Sequence, residues 1–94
     1  MKVELLLRER HLIAEDRFVE LRVWRVPAAV PGSVHVYKYA LAYVVAGECA
    51  LRYDNETGKG DQKHLGDQET PYQFTTPEAL LADFWADVEQ WRPE

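Results

Sequence analysis

The first 26 residues constrain the fold most, because they carry two apolar runs of strand length separated by a short polar segment. The runs are "VELLLRERHLI" and "FVELRVWRV", and "AEDR" lies between them. In the second run Val19, Leu21 and Val23 alternate with charged or aromatic side chains, which is typical of a strand with one buried face. The pattern predicts strands near residues 2–13 and 17–26, joined as a hairpin.

The middle of the chain predicts a central strand. "PAAVPGS" interrupts the chain first, because proline cannot donate to a ladder and glycine permits turn geometry. "HVYKYALAYVVAG" is then apolar at both alternating sets of positions, which is typical of a strand covered on both faces. Gly47 and Glu48 predict a tight turn, and "CALRYD" predicts a fourth strand that returns beside the third. The segment from Asn55 to Gly66 is predicted to be a loop, with a weak fifth strand near Tyr72 to Phe74.

The end of the chain predicts a helix. Thr75 or Thr76 can cap it, Pro77 suits its first turn, and Glu78 favours the positive end of the helix dipole. Apolar side chains then recur at helical spacing, at Leu81, Phe84, Trp85, Val88 and Trp91. The predicted outer face carries Asp83, Asp87, Glu89 and Gln90.

These elements predict an α+β fold that forms a single domain over residues 1–94. The expected architecture is an antiparallel meander sheet of four to five strands with the C-terminal helix packed on one face. The other face of the sheet would then be free for a partner. Strand edges and exposed indoles make a homodimer a further expectation.

The charge distribution allows a polyanionic partner although the net charge is −5. Residues 1–40 carry seven basic and five acidic side chains, whereas residues 67–94 carry one basic and seven acidic side chains. A polyanion could therefore bind the first half of the chain. No apolar run reaches the length of about 18 residues that a membrane span needs, and the N-terminus does not resemble a signal peptide, so a cytoplasmic protein is expected.

Cys49 is the only cysteine, which excludes an internal disulfide and a metal site built from several cysteines. Free cysteine packs as a small hydrophobic residue, so Cys49 is expected to be buried, with a nucleophilic thiol as the alternative. His11 and His35 are expected at the surface or partly packed.

The stretch "RYDNETGKGDQKH" carries the densest set of titratable side chains. His64 could act as a general acid or base on a phosphodiester, while nearby lysines or Arg52 stabilise charge on the phosphorus oxygens. Gly58 and Gly60 would let the backbone approach a ligand, or only let it turn. A solvated loop without chemistry remains the alternative.

Two other interpretations stay open. Asp54, Glu56, Asp61 and His64 could bind magnesium or manganese, although the interleaved lysines would oppose a cation. Aromatic and basic residues also interleave in the strands, which suits single-stranded RNA but equally suits strand packing. These residues are Arg22, Trp24, Arg25, Tyr37, Lys38, Tyr39, Tyr43 and Tyr53.

The chain resembles the TumE-like toxin family of prokaryotic toxin–antitoxin modules. The resemblance runs from "ELLLRERHLI" to the final helix "TPEALLADFWADVEQW", and "RYDN" with the following glycine-bearing segment is its most specific part. It implies toxin activity by RNA cleavage, neutralised by an adjacent-encoded helix-turn-helix antitoxin that binds DNA. Family members often have a further histidine where this chain has Gln62. The matching positions are Tyr53, Asp54, Asn55, Lys59, Gly60, Asp61 and His64.

The resulting hypothesis is a metal-independent ribonuclease without a cofactor, in which a ribose 2′-hydroxyl attacks the adjacent phosphorus. His64 would be the general acid or base, and Asp54 or Asp61 would orient it or a cation. Tyr53 would stack a base or share in proton transfer, and charge would be stabilised by Arg52, Lys59 and Lys63. The alternatives are a non-catalytic module that binds RNA or protein, and a metal-dependent nuclease.

Overall fold

Six antiparallel strands and one helix form the protein in a computed structural model that describes residues 2–93. The strands lie side by side in chain order, so the sheet is a meander, and the helix packs on one side of it. The α+β prediction is confirmed, although four to five strands were expected. The elements are β1 (Glu4–Ala14), β2 (Arg17–Arg25), β3 (Tyr37–Val45), β4 (Glu48–Glu56), β5 (Gly60–Leu65), β6 (Gln68–Pro71) and α1 (Pro77–Gln90).

The strand count is higher because the segment predicted to be a loop is a hairpin. β4 extends to Glu56, a short turn follows, and β5 pairs with β4 from Gly60 to Leu65. The last strand is β6, so the expectation of a strand near Tyr72 to Phe74 is wrong. The sequence did not reveal β5 because "GDQKHL" has no apolar alternation. Polar side chains can nevertheless occupy a strand, and Asp61 and Lys63 find partners elsewhere in the fold.

Strand alternation gives the sheet two different faces. The helix face packs against α1, and the open face lies on the opposite side. Ala40 is exposed on the open face, and Ala42 and Val44 are half-buried there, so the prediction that β3 is covered on both faces is wrong. Apolar residues occupy both faces of β3, but the single helix covers only one. The buried core lies on the helix face and comprises Val19, Leu21, Val23, Tyr39, Leu41, Tyr43, Leu51, Tyr53, Leu80, Phe84 and Val88.

The helix begins where the sequence predicts. Thr76 is the N-cap, and its side-chain oxygen accepts a hydrogen bond of 3.1 Å from the backbone nitrogen of Ala79. Leu80, Phe84 and Val88 are buried against the sheet. Two carboxylates predicted on the outer face of α1 accept hydrogen bonds from the sheet side, although Asp83 remains exposed. Asp83 accepts from the Tyr72 hydroxyl, and Asp87 accepts from Tyr53 and Lys63.

The connection between β2 and β3 contacts the tip of the β4–β5 hairpin through backbone atoms. The backbone nitrogen of Gly58 donates to the Pro31 carbonyl at 2.6 Å. Gly32 and Gly60 both have positive φ, of 98° and 78°. A Cβ at Gly32 would lie 2.7 Å from the Gly60 nitrogen, and a Cβ at Gly60 would lie 2.7 Å from the Gly32 oxygen. Both positions therefore require glycine for the two backbones to meet.

Cys49 is exposed, so the expectation of a buried cysteine is wrong. It lies near the start of β4, opposite Val44 on the open face, which α1 does not cover. Over residues 2–93, no helix combines the length and apolar character needed to cross a membrane.

Candidate functional site

Strand alternation divides the predicted site residues between the two faces of the sheet. Directly opposite residues on paired strands share a face, and successive residues alternate. The register therefore assigns three of them to the open face, three to the helix face and one to the turn. Arg52, Asp54 and His64 lie on the open face; Tyr53, Asp61 and Lys63 lie on the helix face; Lys59 lies in the turn.

Asp61 is the acceptor at the centre of a buried hydrogen-bond network. Ser33 Oγ donates to Asp61 Oδ1 at 2.6 Å, and the Tyr39 hydroxyl donates to Oδ2 at 2.7 Å. His35 Nε2 lies 2.6 Å from Oδ2, and its Nδ1 accepts from the Tyr37 backbone nitrogen. This pattern assigns the ring proton to Nε2, so His35 donates to Asp61. The Asp61 carboxylate therefore holds the β2–β3 connection against β5.

His35 and Asn55 complete this network, and the sequence pattern gave neither a role in it. The His35 side chain is only 12% exposed, and its ring stacks on Phe74 with 3.9 Å between centroids. The Asn55 side chain accepts from the Tyr39 backbone nitrogen and donates to the Tyr37 carbonyl. A polar residue alternating with apolar ones in "LRYDN" is the only sequence sign that Asn55 points into the core.

Tyr53 and Lys63 also make their hydrogen bonds on the helix face. Both bind the Asp87 carboxylate of α1, Tyr53 through its hydroxyl and Lys63 through Nζ at 2.9 Å. Burial, reinforced by the hydrogen bond to Asp87, raises the pKa of the Tyr53 hydroxyl far above its usual range. Tyr53 is 1% exposed, which leaves no ring surface on which a base could stack.

Lys59 lies apart from both groups at the exposed tip of the β4–β5 turn. Its Nζ is 3.8 Å from Glu56 Oε2, a loose surface ion pair. The turn glycines on either side serve the backbone contact with Pro31 and Gly32.

The open face brings together four polar side chains from β4 and β5, named here the open-face cluster: Arg52, Asp54, Gln62 and His64. Arg52 Nε is 3.2 Å from Asp54 Oδ2, and His64 Nε2 is 3.7 Å from Asp54 Oδ1. On the other side of the ring, His64 Nδ1 is 3.6 Å from Glu69 Oε2 on β6. The imidazole therefore lies between two carboxylates.

Every member of the open-face cluster holds a polar atom that is shielded from solvent and makes no well-aligned hydrogen bond within the described residues, although Arg52 Nε forms an ion pair with Asp54. These atoms are Arg52 Nε, Asp54 Oδ1, Gln62 Oε1 and His64 Nε2. Buried polar groups almost always have a hydrogen-bond partner. Their concentration in one place favours a site that completes its hydrogen bonds when a ligand binds.

Asp54 is the buried centre of the cluster. Burial raises the pKa of its carboxyl above the ordinary value, while the nearby charges of Arg52 and His64 act in the opposite direction. The Arg52 side chain is 43% exposed, so its guanidinium can still reach an anion. Guanidinium is well suited to phosphate oxygens because its donors form a planar fork.

The carboxylates and histidine proposed as metal ligands are not gathered at one place. Asp61 lies on the helix face, whereas Asp54 and His64 lie on the open face. Within residues 2–93, no three side chains of histidine, cysteine, aspartate or glutamate form a group arranged to hold a metal ion.

The interleaved aromatic and basic residues are likewise divided. Tyr39, Tyr43 and Tyr53 are buried against α1, so they cannot form an RNA-stacking surface. Arg25 points to the helix side of β2, because it alternates with the open-face positions. The open face retains Arg22, Trp24 and Lys38.

A family model described as "Toxin TumE" matches residues 2–92. The matched range covers all six strands and α1, and therefore includes both faces of the sheet and the open-face cluster. No curated protein and no solved structure matches the chain.

Proposed function

Since the chain belongs to the TumE toxin family, we propose that this toxin of a toxin–antitoxin module is a metal-independent ribonuclease whose catalytic residues lie in the open-face cluster. The observation that carries the proposal is the set of four shielded polar atoms that lack a well-aligned hydrogen bond, on an otherwise accessible sheet face. A phosphodiester could supply acceptors to Arg52 and His64, which a protein packed for stability alone would have satisfied internally.

The proposed reaction uses His64 as the general base. His64 accepts the 2′-hydroxyl proton as the 2′ oxygen bonds to phosphorus, and the bond from phosphorus to the 5′ oxygen breaks. The 5′ oxygen then takes a proton, from the imidazolium or from water, and a 2′,3′-cyclic phosphate remains. Histidine suits both transfers because its ordinary pKa lies near neutrality.

Arg52 and Asp54 support this step in different ways. The Arg52 guanidinium donates to the non-bridging phosphate oxygens and stabilises the charge that develops on them. Asp54 lies between Arg52 and His64, so its carboxylate holds both groups and stabilises the imidazolium. Tyr53, Asp61 and Lys63 have no direct catalytic role in this proposal, because their functional groups bind other parts of the fold.

Displacement of Glu69 would open the Nδ1 side of the His64 ring. The His64 side chain is 19% exposed, and Glu69 lies beside it on the short outer strand β6. The Glu69 side chain is itself largely exposed, and the loose 3.6 Å contact offers little resistance to displacement by a phosphate.

The test is cleavage of a short unstructured RNA labelled at its 5′ end. The purified protein should release fragments that end in a 2′,3′-cyclic phosphate, at the same rate with and without chelator. His64→Ala should lose at least about 100-fold in rate, as expected for removal of a general base. His11→Ala is the matched control, because His11 is an exposed histidine on β1, outside the cluster.

Equal cleavage by the His64→Ala and His11→Ala proteins would contradict the assignment. Loss of cleavage in chelator would favour the metal-dependent alternative. Absence of fragments, with stoichiometric binding of intact RNA, would favour the non-catalytic module.

A partner-binding role has separate support in edge strand β1. Leu5, Leu6, Leu12 and Ile13 are exposed along it, and its outer backbone edge is unpaired in the sheet of residues 2–93. An exposed strand edge with apolar side chains is a typical docking element. In the toxin hypothesis this edge would bind the cognate antitoxin, for which the helix-turn-helix type is carried over from the resemblance.

A further inference from the structure

We infer that single-stranded RNA crosses the open face from β1 towards β5, with Arg8 and Arg22 binding its backbone phosphates at a distance from His64. The inference rests on the proposed function and specifies how its substrate is held. Beyond the catalytic residues, it assigns a pair of phosphate-binding arginines and the direction in which the RNA crosses the sheet.

The cross-strand pair Arg8 and Arg22 is the main observation. The two arginines lie directly opposite each other on β1 and β2, and both are exposed. Like charges in this position destabilise a sheet unless an anion lies between them. Among residues 2–93, no carboxylate forms an ion pair with either arginine. Arg10, two residues further along β1, has Glu20 at 3.6 Å and lies over the Phe18 ring.

The ladder register connects this pair to the open-face cluster. Arg22 lies opposite Ala40, Ala40 lies opposite Asp54, and Asp54 lies opposite Gln62. Strands are spaced about 4.8 Å apart, so three strand spacings, roughly 14 Å, separate Arg22 from β5. A few nucleotides of an extended strand can span that distance.

On the open face, β3 offers room for the RNA. Ala40 and Ala42 present only methyl groups between the longer side chains of β2 and β4, so they do not obstruct the path. Trp24 is half-buried on the same face, opposite the exposed Lys38. An indole next to a free ammonium group is a suitable platform for stacking an unpaired base beside its phosphate.

The experiment measures binding to the catalytically inactive His64→Ala protein, so that the RNA stays intact. Fluorescence anisotropy with a short unstructured RNA is recorded over a range of salt concentrations, for this protein and for versions carrying Arg22→Ala or Arg8→Ala in addition. Each should bind more weakly, and the slope of log affinity against log salt should fall by about 0.7 for one lost phosphate contact.

Arg25→Ala in the same background is the matched control. It removes the same charge from the same strand but on the helix side, so its affinity and salt slope should remain those of the His64→Ala protein. If Arg22→Ala and Arg25→Ala behave alike, the phosphate-binding pair is overturned. Equal affinity for a duplex RNA of the same sequence would overturn the single-stranded path.

Cleavage by the parent protein separates this inference from the proposed function. If the parent cleaves RNA but Arg22→Ala does not change RNA binding, the RNA path is overturned and the nuclease assignment stands. If Arg22→Ala weakens RNA binding but the parent does not cleave RNA, the path is supported and the nuclease assignment is contradicted.

Discussion

At the scale of single residues, Asp61 and Asp54 show how neighbouring positions in one hairpin acquire different roles. They lie on opposite faces of the sheet. Asp61 accepts three hydrogen bonds from the connection and core of its own fold, whereas Asp54 retains an unbonded, shielded oxygen. The first carboxylate therefore stabilises the protein, and the second is available to function.

Asp61→Ala should mainly reduce stability. It leaves the donors of Ser33, His35 and Tyr39 without an acceptor in a shielded site, and unsatisfied buried groups cost about 1–3 kcal/mol each before relaxation. We expect the free energy of unfolding, measured in urea, to fall by about 2–4 kcal/mol. Asp67→Ala, in the exposed β5–β6 turn, should change it little. A variant as stable as the parent would contradict the structural role.

Asp54→Asn should alter the pH dependence of stability. Because burial raises the pKa of Asp54 in the folded state, the folded protein binds this proton more tightly than the unfolded chain does. The parent's unfolding free energy therefore loses this contribution as pH rises from about 3.9, the ordinary value, through the raised pKa. The asparagine variant should become more stable relative to the parent across that range and stay so above it. Urea titrations at several pH values would measure this, and a difference that shrinks with rising pH would refute it.

At the scale of secondary structure, the β4–β5 hairpin depends on the glycine contact with the β2–β3 connection. Gly60→Ala places a Cβ 2.7 Å from the Gly32 oxygen at a φ of 78°. Gly58→Ala in the same turn carries similar backbone strain, at a φ of 84°, with no atom within 4 Å of its Cβ. Backbone strain of this kind costs about 1–3 kcal/mol, and Gly60→Ala should lower the melting temperature further than Gly58→Ala by the added steric clash. Equal melting temperatures would argue against the contact.

The elements also show how much the sequence could predict. The β1–β2 hairpin and α1 follow from local signals, namely apolar alternation around "AEDR" and the Thr76 cap before Pro77. β5 could not be predicted that way, because it lacks apolar alternation and its side chains Asp61 and Lys63 bind residues distant in sequence, Ser33 and Asp87. The sequence shows the dense charges of "RYDNETGKGDQKH". Their division between the two faces of the sheet can be predicted only if β5 is known to be a strand.

At the scale of the whole molecule, the charge asymmetry along the sequence becomes an asymmetry between two surfaces. Basic and acidic side chains are mixed on the open face, namely Arg8, Arg10, Arg22, Lys38 and Arg52 with Glu20, Asp54, Glu56 and Glu69. On the opposite side of the sheet, α1 carries acidic residues and no lysine or arginine. A polyanion would therefore be repelled more strongly from the α1 side than from the open face. A net charge of −5 conceals this arrangement.

The contact between Gly32 and Gly60 also bears on the order in which the open-face cluster assembles. It joins segments that are far apart in the chain, and closing the intervening loop costs entropy. The β4–β5 hairpin that it holds carries all four residues of the cluster. Because Gln62 and His64 lie on β5, a growing chain from which β5 has not yet emerged cannot form the cluster.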